Sequence, residues 1–215
     1  MHTALCDELG ILVWFDLPYA NFDHPFDDAT FGAEARREAT AQLRMLAHHA
    51  STAVVCGGSE VHQQAAMYGV AADRRHVPFL EDELPALVEQ TGLHVPVVPS
   101  TPWGGGLPFQ VDTGVSHYYG IGAYRRPLDD ARRADVRFTS ECLAFAHVPA
   151  AETLDAWTDG EQLAPHDPRW KARVPRDRGV GWDFEDVRDH YVRALAGRDP
   201  AELRSVDITR HLDLG

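Results

Sequence analysis

The sequence predicts an α/β chain built from parallel strand–helix units, and three observations lead there. Five short apolar runs end in polar or glycine-rich residues: Gly10–Asp16 (GILVWFD), Thr52–Gly58 (TAVVCGG), Val95–Ser100 (VPVVPS), Gly114–Gly120 (GVSHYYG) and Val136–Glu141 (VRFTSE). Helical patterns separate the earlier runs, and strand, helix, strand, helix, strand is the signature of parallel β/α units. The runs are apolar almost continuously rather than alternately, as expected of strands covered on both faces.

Each helix has its own signal. Over residues 30–49, Ala35, Ala39, Gln42, Leu43 and Leu46 fall at three-to-four spacing with charges on the other face. A second helix is predicted over 79–90, closed by Thr91-Gly92 with glycine in its usual C-terminal position. A shorter one covers 128–134. After Pro149 the character changes: residues 150–180 are rich in Pro, Asp and Arg with scattered tryptophans, and a long loop is expected there. Residues 182–196 and 200–212 then read as helices, with Asp183 and Asp199 as candidate caps. No repeat, low-complexity tract or linker is visible. The whole of 1–215 is therefore read as one domain, with the strand–helix units and the site in 1–149 and the loop and C-terminal helices in 150–215.

Bulk composition excludes several classes. A hydrophobic fraction of 44% is enough for a packed core. The formal charge of −13, with no basic patch interleaved with aromatics, argues against a nucleic-acid partner. Cys6, Cys56 and Cys142 are odd in number, far apart and in or beside apolar runs, so reduced core thiols are expected. The longest strongly apolar run, Ile11–Phe15, is far below the ~20 residues a membrane helix needs. No basic stretch precedes an apolar one at the N-terminus. A cytoplasmic location with no membrane partner is the expectation.

In β/α folds the C-terminal ends of strands face the active site. Here those ends carry Asp16, Glu60, Ser100 to Trp103, His117-Tyr118-Tyr119 and Glu141. Sugar sites have this composition, with aromatic faces for the apolar side of the ring and carboxylates for hydroxyls and catalysis. Two carboxylates about 5–5.5 Å apart support retaining glycoside hydrolysis. Gly57 and Gly58 let the chain leave its strand without side-chain obstruction and set Glu60 on the rim. Plainer readings stand beside these: Glu60 as a solvated or helix-capping residue, His117 as a satisfied core histidine, Trp103 as loop packing, Asp16 as a cap or an arginine partner. The 12 histidines form no HExxH, there is no CxxC, and His48-His49 point to different sides of a helix. WGGGLP lacks the Lys-Ser/Thr of a phosphate loop. Neither metal nor cofactor is expected.

Taken in order, these stretches resemble the β-mannosidases of glycoside hydrolase family 2. CDELGILVWFDLPYA is similar to that family's CDELGILVWQDF segment, and TAVVCGGSE to its strand ending in CGNNE. VPSTPWGGGLP is similar to PSSPxGG, GVSHYYGIGAY to GDSHYWG, and RFTSE to RFxSE. WDFEDVRDHYVRAL and DPAELRSVD resemble the helical region that follows. The resemblance implies a partial (β/α)8 TIM barrel: five strands in the third to seventh places, the first two and the last lacking counterparts. It implies a retaining β-glycosidase acting on terminal β-linked sugars, with Glu60 as general acid/base and Glu141 as nucleophile, Glu60 protonated and Glu141 ionised at the start. His117 with Tyr118 or Tyr119 would orient the nucleophile or hold sugar hydroxyls. Trp14, Asp16 and Trp103 would form the sugar-binding wall.

Three positions depart from the family. Ser59 stands where an asparagine bonds the sugar 2-hydroxyl, Cys142-Leu143 follow the nucleophile in place of an aromatic and a glycine, and Phe15 replaces a glutamine. The implied partners are a β-mannoside or related β-glycoside and the remaining parts of the barrel or a second chain. The alternative reading is a non-catalytic carbohydrate-binding or structural fragment of a larger glycosidase.

Overall fold

The computed structural model of the chain describes residues 2–158, 160–161, 163, 165–176 and 178–214, the side chain of His2 excepted. Two compact units emerge: Met1–His117 with Val136–Ser140, and Tyr118–Asp135 with Glu141–Gly215.

The first unit opens with helix α1 (His2–Leu9), which the sequence reading did not anticipate, and strand β1 (Val13–Asp16). Helix α2 (Ala29–Leu46) follows, and its start is fixed by Asp28, whose side chain accepts from the amides of Thr30 at 3.0 Å and Phe31 at 2.8 Å. Gly32, Ala35, Ala39, Leu43 and Leu46 bury one stripe of it, as the spacing predicts. Strand β2 (Thr52–Cys56) is succeeded by helix α3 (Val61–Met67), also unanticipated. A wide turn of helix over Phe79–Glu83 runs into α4 (Leu84–Gln90), and the chain leaves at Gly92 with φ of 77°. Strand β3 is Val97–Val98.

The three strands form one parallel sheet in the order β1-β2-β3. Their sequence order is their spatial order, with α2 in the first crossover and α3 and α4 in the second, so consecutive βαβ units are present. Leu17, Leu43, Val55, Phe79, Leu80 and Leu84 head a continuous apolar core. A bidentate pair between Arg36 and Glu83, both bonds 2.6 Å, ties α2 to the start of the second crossover helix.

Strand β4 (Ser116–Gly122), helix α5 (Asp130–Arg133) and strand β5 (Thr139–Leu143) come next, and β4 and β5 pair as a two-stranded sheet. In the first unit the Ser116 amide donates to the Phe138 carbonyl at 2.9 Å; in the second, the Ala123 amide donates to the Leu143 carbonyl at 2.7 Å.

In the second unit the expected long loop over 150–180 is corrected. It contains two helices, α6 (Ala151–Thr158) and α7 (Pro168–Lys171). Pro168 sits at the first helical position behind the cap Asp167, where the missing N–H costs nothing. Helix α8 (Phe184–Ala196) runs from a capping box in which Asp183 accepts from the amides of Glu185 and Asp186, both at 3.1 Å, while Asp186 accepts from the Asp183 amide at 3.0 Å. The helix expected over 200–212 is two, α9 (Pro200–Val206) capped by Asp199 and α10 (Ile208–Leu214), broken where Asp207 turns extended. Asp183 also accepts from Lys171. Replacing Asp183 with alanine is expected to cost about 1 kcal/mol, read as a lower midpoint in thermal unfolding followed by circular dichroism.

Two further expectations are corrected or bounded. Only Cys56 is buried; Cys6 is half-buried and Cys142 exposed, although all three are free thiols. Cys142 lies where the burial of β5 gives out toward its end. No helix among the described residues is long and apolar enough to cross a membrane.

Candidate active site

Glu60 is the most constrained of the residues singled out from the sequence. The approach to it is set by Gly57 and Gly58, whose need is close packing rather than unusual backbone angles. A Cβ on Gly57 would lie 2.3 Å from the Pro99 carbonyl oxygen, and one on Gly58 would lie 2.1 Å from that of Tyr19. The extensions of β1 and β3 press on β2 there, and bridges Ala20–Ser59 and Ser59–Thr101 carry the parallel pairing up to Ser59. Glu60 then adopts the left-handed conformation, φ 60° and ψ 9°, which costs a non-glycine residue about 1 kcal/mol. Its amide is held by the Thr101 carbonyl at 2.6 Å, and its carbonyl accepts from the Gln64 amide at 2.8 Å.

Glu60 precedes α3 but does not cap it. Its carboxylate instead accepts from three side chains: Gln63 Nε2 at 3.0 Å, Gln64 Nε2 at 3.1 Å and His117 Nδ1 at 3.1 Å. The glutamines lie three and four positions on, the spacing at which helix residues face one another. His117 is buried and bonds Thr101 Oγ1 through Nε2 at 3.1 Å. With Glu60 ionised, Nδ1 donates to the carboxylate and the Thr101 hydroxyl donates to Nε2. Thr101 thus grips Glu60 twice, through its carbonyl and through the imidazole.

The hydrogen bond from His117 holds the Glu60 carboxyl below the ordinary glutamate range, with the two glutamines adding to the effect. That direction favours the ionised form of Glu60, whereas the acid role that the resemblance implies begins from the protonated form. His117→Gln removes the donor at the Nδ1 position while reaching Thr101. The Glu60 pKa is expected to rise toward the ordinary glutamate range; His117→Asn, which keeps a donor near Nδ1, should hold it low. Carboxyl carbon shifts followed against pH in NMR measure both. Because the folded-state value is depressed, the stabilisation is present above the unfolded value and disappears as pH falls through the folded one. The glutamine variant should lose less stability across that acid window than the parent.

Glu141 stands on β5 and accepts from the Tyr119 hydroxyl at 2.7 Å. Tyr118, its neighbour on β4, points the other way, as strand alternation requires, and donates to Asp130. Burial and Asp130 push the Tyr118 hydroxyl up to about 12. The structure thus sets Tyr119 on the nucleophile candidate and Tyr118 away from it, while His117 serves Glu60. Trp14 stacks on Phe138 with ring centroids 5.6 Å apart and donates through Nε1 to Asp16 at 2.7 Å. Trp103 pairs with Val115 by two backbone bonds of 2.8 Å and meets His62 edge-on at 4.9 Å.

Gln63 and Gln64 escaped the sequence reading, which placed Thr101 on the rim but gave it no role. Spacing from Glu60 could have flagged the glutamines, whereas Thr101 is linked to His117 only through space. For a metal, His166, Glu185 and Asp189 in the second unit bring ligand atoms within 4.8 Å of one another. The guanidiniums of Arg188 and Arg204 already occupy those carboxylates, so the cluster is neutralised by ion pairing and is a poor cation site.

No family model matches the chain. Curated relatives do. Beta-mannosidase B of Thermothelomyces thermophilus is 29% identical over 210 residues, 89% of this chain and 23% of that protein. Beta-mannosidase B of Aspergillus niger is 31% identical over 208 residues, with the same shares of 89% and 23%. The crystal structure of the β-D-mannosidase from Dictyoglomus thermophilum matches 99% of this chain and 25% of its own with a TM-score of 0.72 and 25% identity. The chain spans about a quarter of the length of the relatives it matches. The chain therefore belongs to the β-mannosidase family, and the likeness holds along nearly its whole length, in sequence and in fold.

Proposed function

We propose that this β-mannosidase-like chain carries the two catalytic glutamates of a retaining β-glycosidase, within part of a (β/α)8 barrel. Three adjacent parallel strands joined in order by helices support the barrel reading. The observation that carries the catalytic reading is Glu60 itself: a carboxylate at a strand end, on a left-handed backbone, held by three side-chain donors. A solvated or capping glutamate has no use for such support.

Glu141 attacks the anomeric carbon and the bond to the leaving oxygen breaks, with Glu60 supplying the proton. Water then releases the sugar as Glu60 takes its proton. The His117 contact favours the ionised form of Glu60, which is the form the second half needs. In the first half Glu60 must carry the proton that passes to the leaving oxygen, and the hydrogen bonds that favour its ionised form make it the readier donor. Tyr119 fixes the Glu141 carboxylate by donating to it. The substrate proposed is a terminal β-mannoside, as the relatives' names suggest.

Incubation of the chain with 2-deoxy-2-fluoro-β-mannosyl fluoride, followed by intact mass and peptide mapping, tests this. One added sugar on Glu141 is expected. No adduct with the manno reagent or its gluco and galacto counterparts would overturn the catalytic reading in favour of a non-catalytic sugar-binding module. Ser59, shorter than the family's asparagine, is the residue that favours that second reading.

A further inference from the structure

The second unit contains a polar cavity of about 380 Å³ lined by Arg125, His190, Arg193 and Arg204, with Asp186 and Asp189 also in its wall. In a chain with 33 acidic and 20 basic residues, the gathering of three arginines and a histidine around one cavity needs a reason. The cavity involves none of the residues of the glycosidase reading.

The cations differ in how far they are already neutralised. Arg204 is committed to Asp189, and Asp189 also takes His166. Asp186 is held by Lys171, which bonds Asp183 as well. Arg193 meets Asp199 at 3.1 Å in a solvent-exposed pair, an interaction that water and salt weaken. Arg125 has no carboxylate in ion-pairing range among the described residues. Its guanidinium lies over the Trp182 ring, 5.0 Å from the centroid, and the indole is fixed in turn by its bond to the Ala123 carbonyl at 2.8 Å. Arg125 is thus pre-positioned at the cavity with its charge unspent.

His190 lies among these groups, edge-on to Tyr191 at 4.8 Å. Burial, Arg125 and Arg193 together hold its imidazole below the ordinary histidine range. An anion entering the cavity would be met by planar guanidinium forks and an imidazole, the donor set that suits a phosphate oxygen cluster.

We propose that this cavity is a binding site for a phosphate dianion, free or as the phosphomonoester of a small molecule, with Arg125 and Arg193 as its principal cations and His190 between them. Binding puts negative charge beside His190, so the imidazole gains a proton more readily when the site is filled.

The test follows the ring protons of His190 by NMR in the full chain, with assignment from His190→Gln. Titration with inorganic phosphate at fixed low salt is expected to raise the His190 pKa by roughly one unit, and acetate at equal concentration to leave it in place. Arg125→Gln and Arg193→Gln should each weaken phosphate binding by about tenfold. A phosphomonoester that reproduces the shift identifies the organic form, while a response to inorganic phosphate alone identifies the free ion, and either supports the site. Phosphate that leaves His190 unmoved would overturn it, as would an equal response to acetate or undiminished binding in both arginine variants. Arg193 is exposed at the surface of α8, so its variant keeps the test open should Arg125→Gln misfold by losing the Trp182 contact.

Discussion

Glu141→Gln is expected to remove covalent capture of the fluorinated mannosyl reagent entirely and to lower hydrolysis of an aryl β-mannoside by about 10⁴-fold or more. Glutamine keeps the length and planarity of the side chain, and its amide oxygen still accepts from the Tyr119 hydroxyl that now meets Glu141 at 2.7 Å. What it loses is the anionic oxygen that must form the bond to the anomeric carbon. A folded variant with the parent's thermal midpoint and no adduct separates chemistry from stability. Tyr119→Phe supplies the graded comparison: one hydrogen bond to an ionised group is lost, a penalty of about tenfold to a hundredfold in rate rather than loss of the adduct. If Glu141→Gln hydrolysed the substrate at the parent's rate, Glu141 could not be the nucleophile, whatever became of Glu60.

Much of this site could be read in the chain because strand ends are written locally. An apolar run that stops at glycine or at polar residues marks both the strand and the rim it points to, and Glu60 follows β2 in that way. His117, the second residue of β4, and Glu141, in the middle of β5, lie within their strands and not at the ends where the runs placed them. The partners of these residues are not written locally. Nothing in the spacing of 101 and 117 says that a threonine hydroxyl will meet an imidazole, since the contact depends on where two strand ends arrive in space. Helix α3 was missed for a different reason. Its first residue is preceded by a glutamate that does not cap it, and VHQQAAM has no apolar stripe to announce a helix. In 150–180 the composition obscured a legible signal: Asp167-Pro168 is a cap followed by proline at the first helical position, and it starts α7. Cys142 was assigned to the core from its apolar neighbours, whereas the last two residues of β5 are exposed.

Gly58→Ala is expected to destabilise the chain by about 3 kcal/mol, lowering its thermal midpoint by roughly 10 °C, and to disturb Glu60 even where the fold survives. The new methyl group would stand 2.1 Å from the Tyr19 carbonyl oxygen, with the Tyr19 carbonyl carbon at 3.1 Å and its Cβ at 3.3 Å. These are backbone atoms and a side-chain root, so no rotamer change relieves the clash. Tyr19 itself is anchored, buried in the core and bonded through its hydroxyl to the Ala35 carbonyl at 3.1 Å. The β2 extension must therefore move away from β1, which breaks the bond from the Ser59 amide to Tyr19 and shifts Ser59, the residue that leads directly into Glu60. Gly69→Ala is the control. That glycine has φ of 77° but nothing within 4 Å of an added Cβ, so it reports the backbone penalty of a left-handed position without the clash, about 1 kcal/mol. If Gly58→Ala cost no more than Gly69→Ala, the glycine pair ahead of Glu60 would be there for freedom of the chain. The larger cost expected instead assigns it to the approach of neighbouring strands, and ties the presence of two glycines to the placing of the carboxylate that follows them.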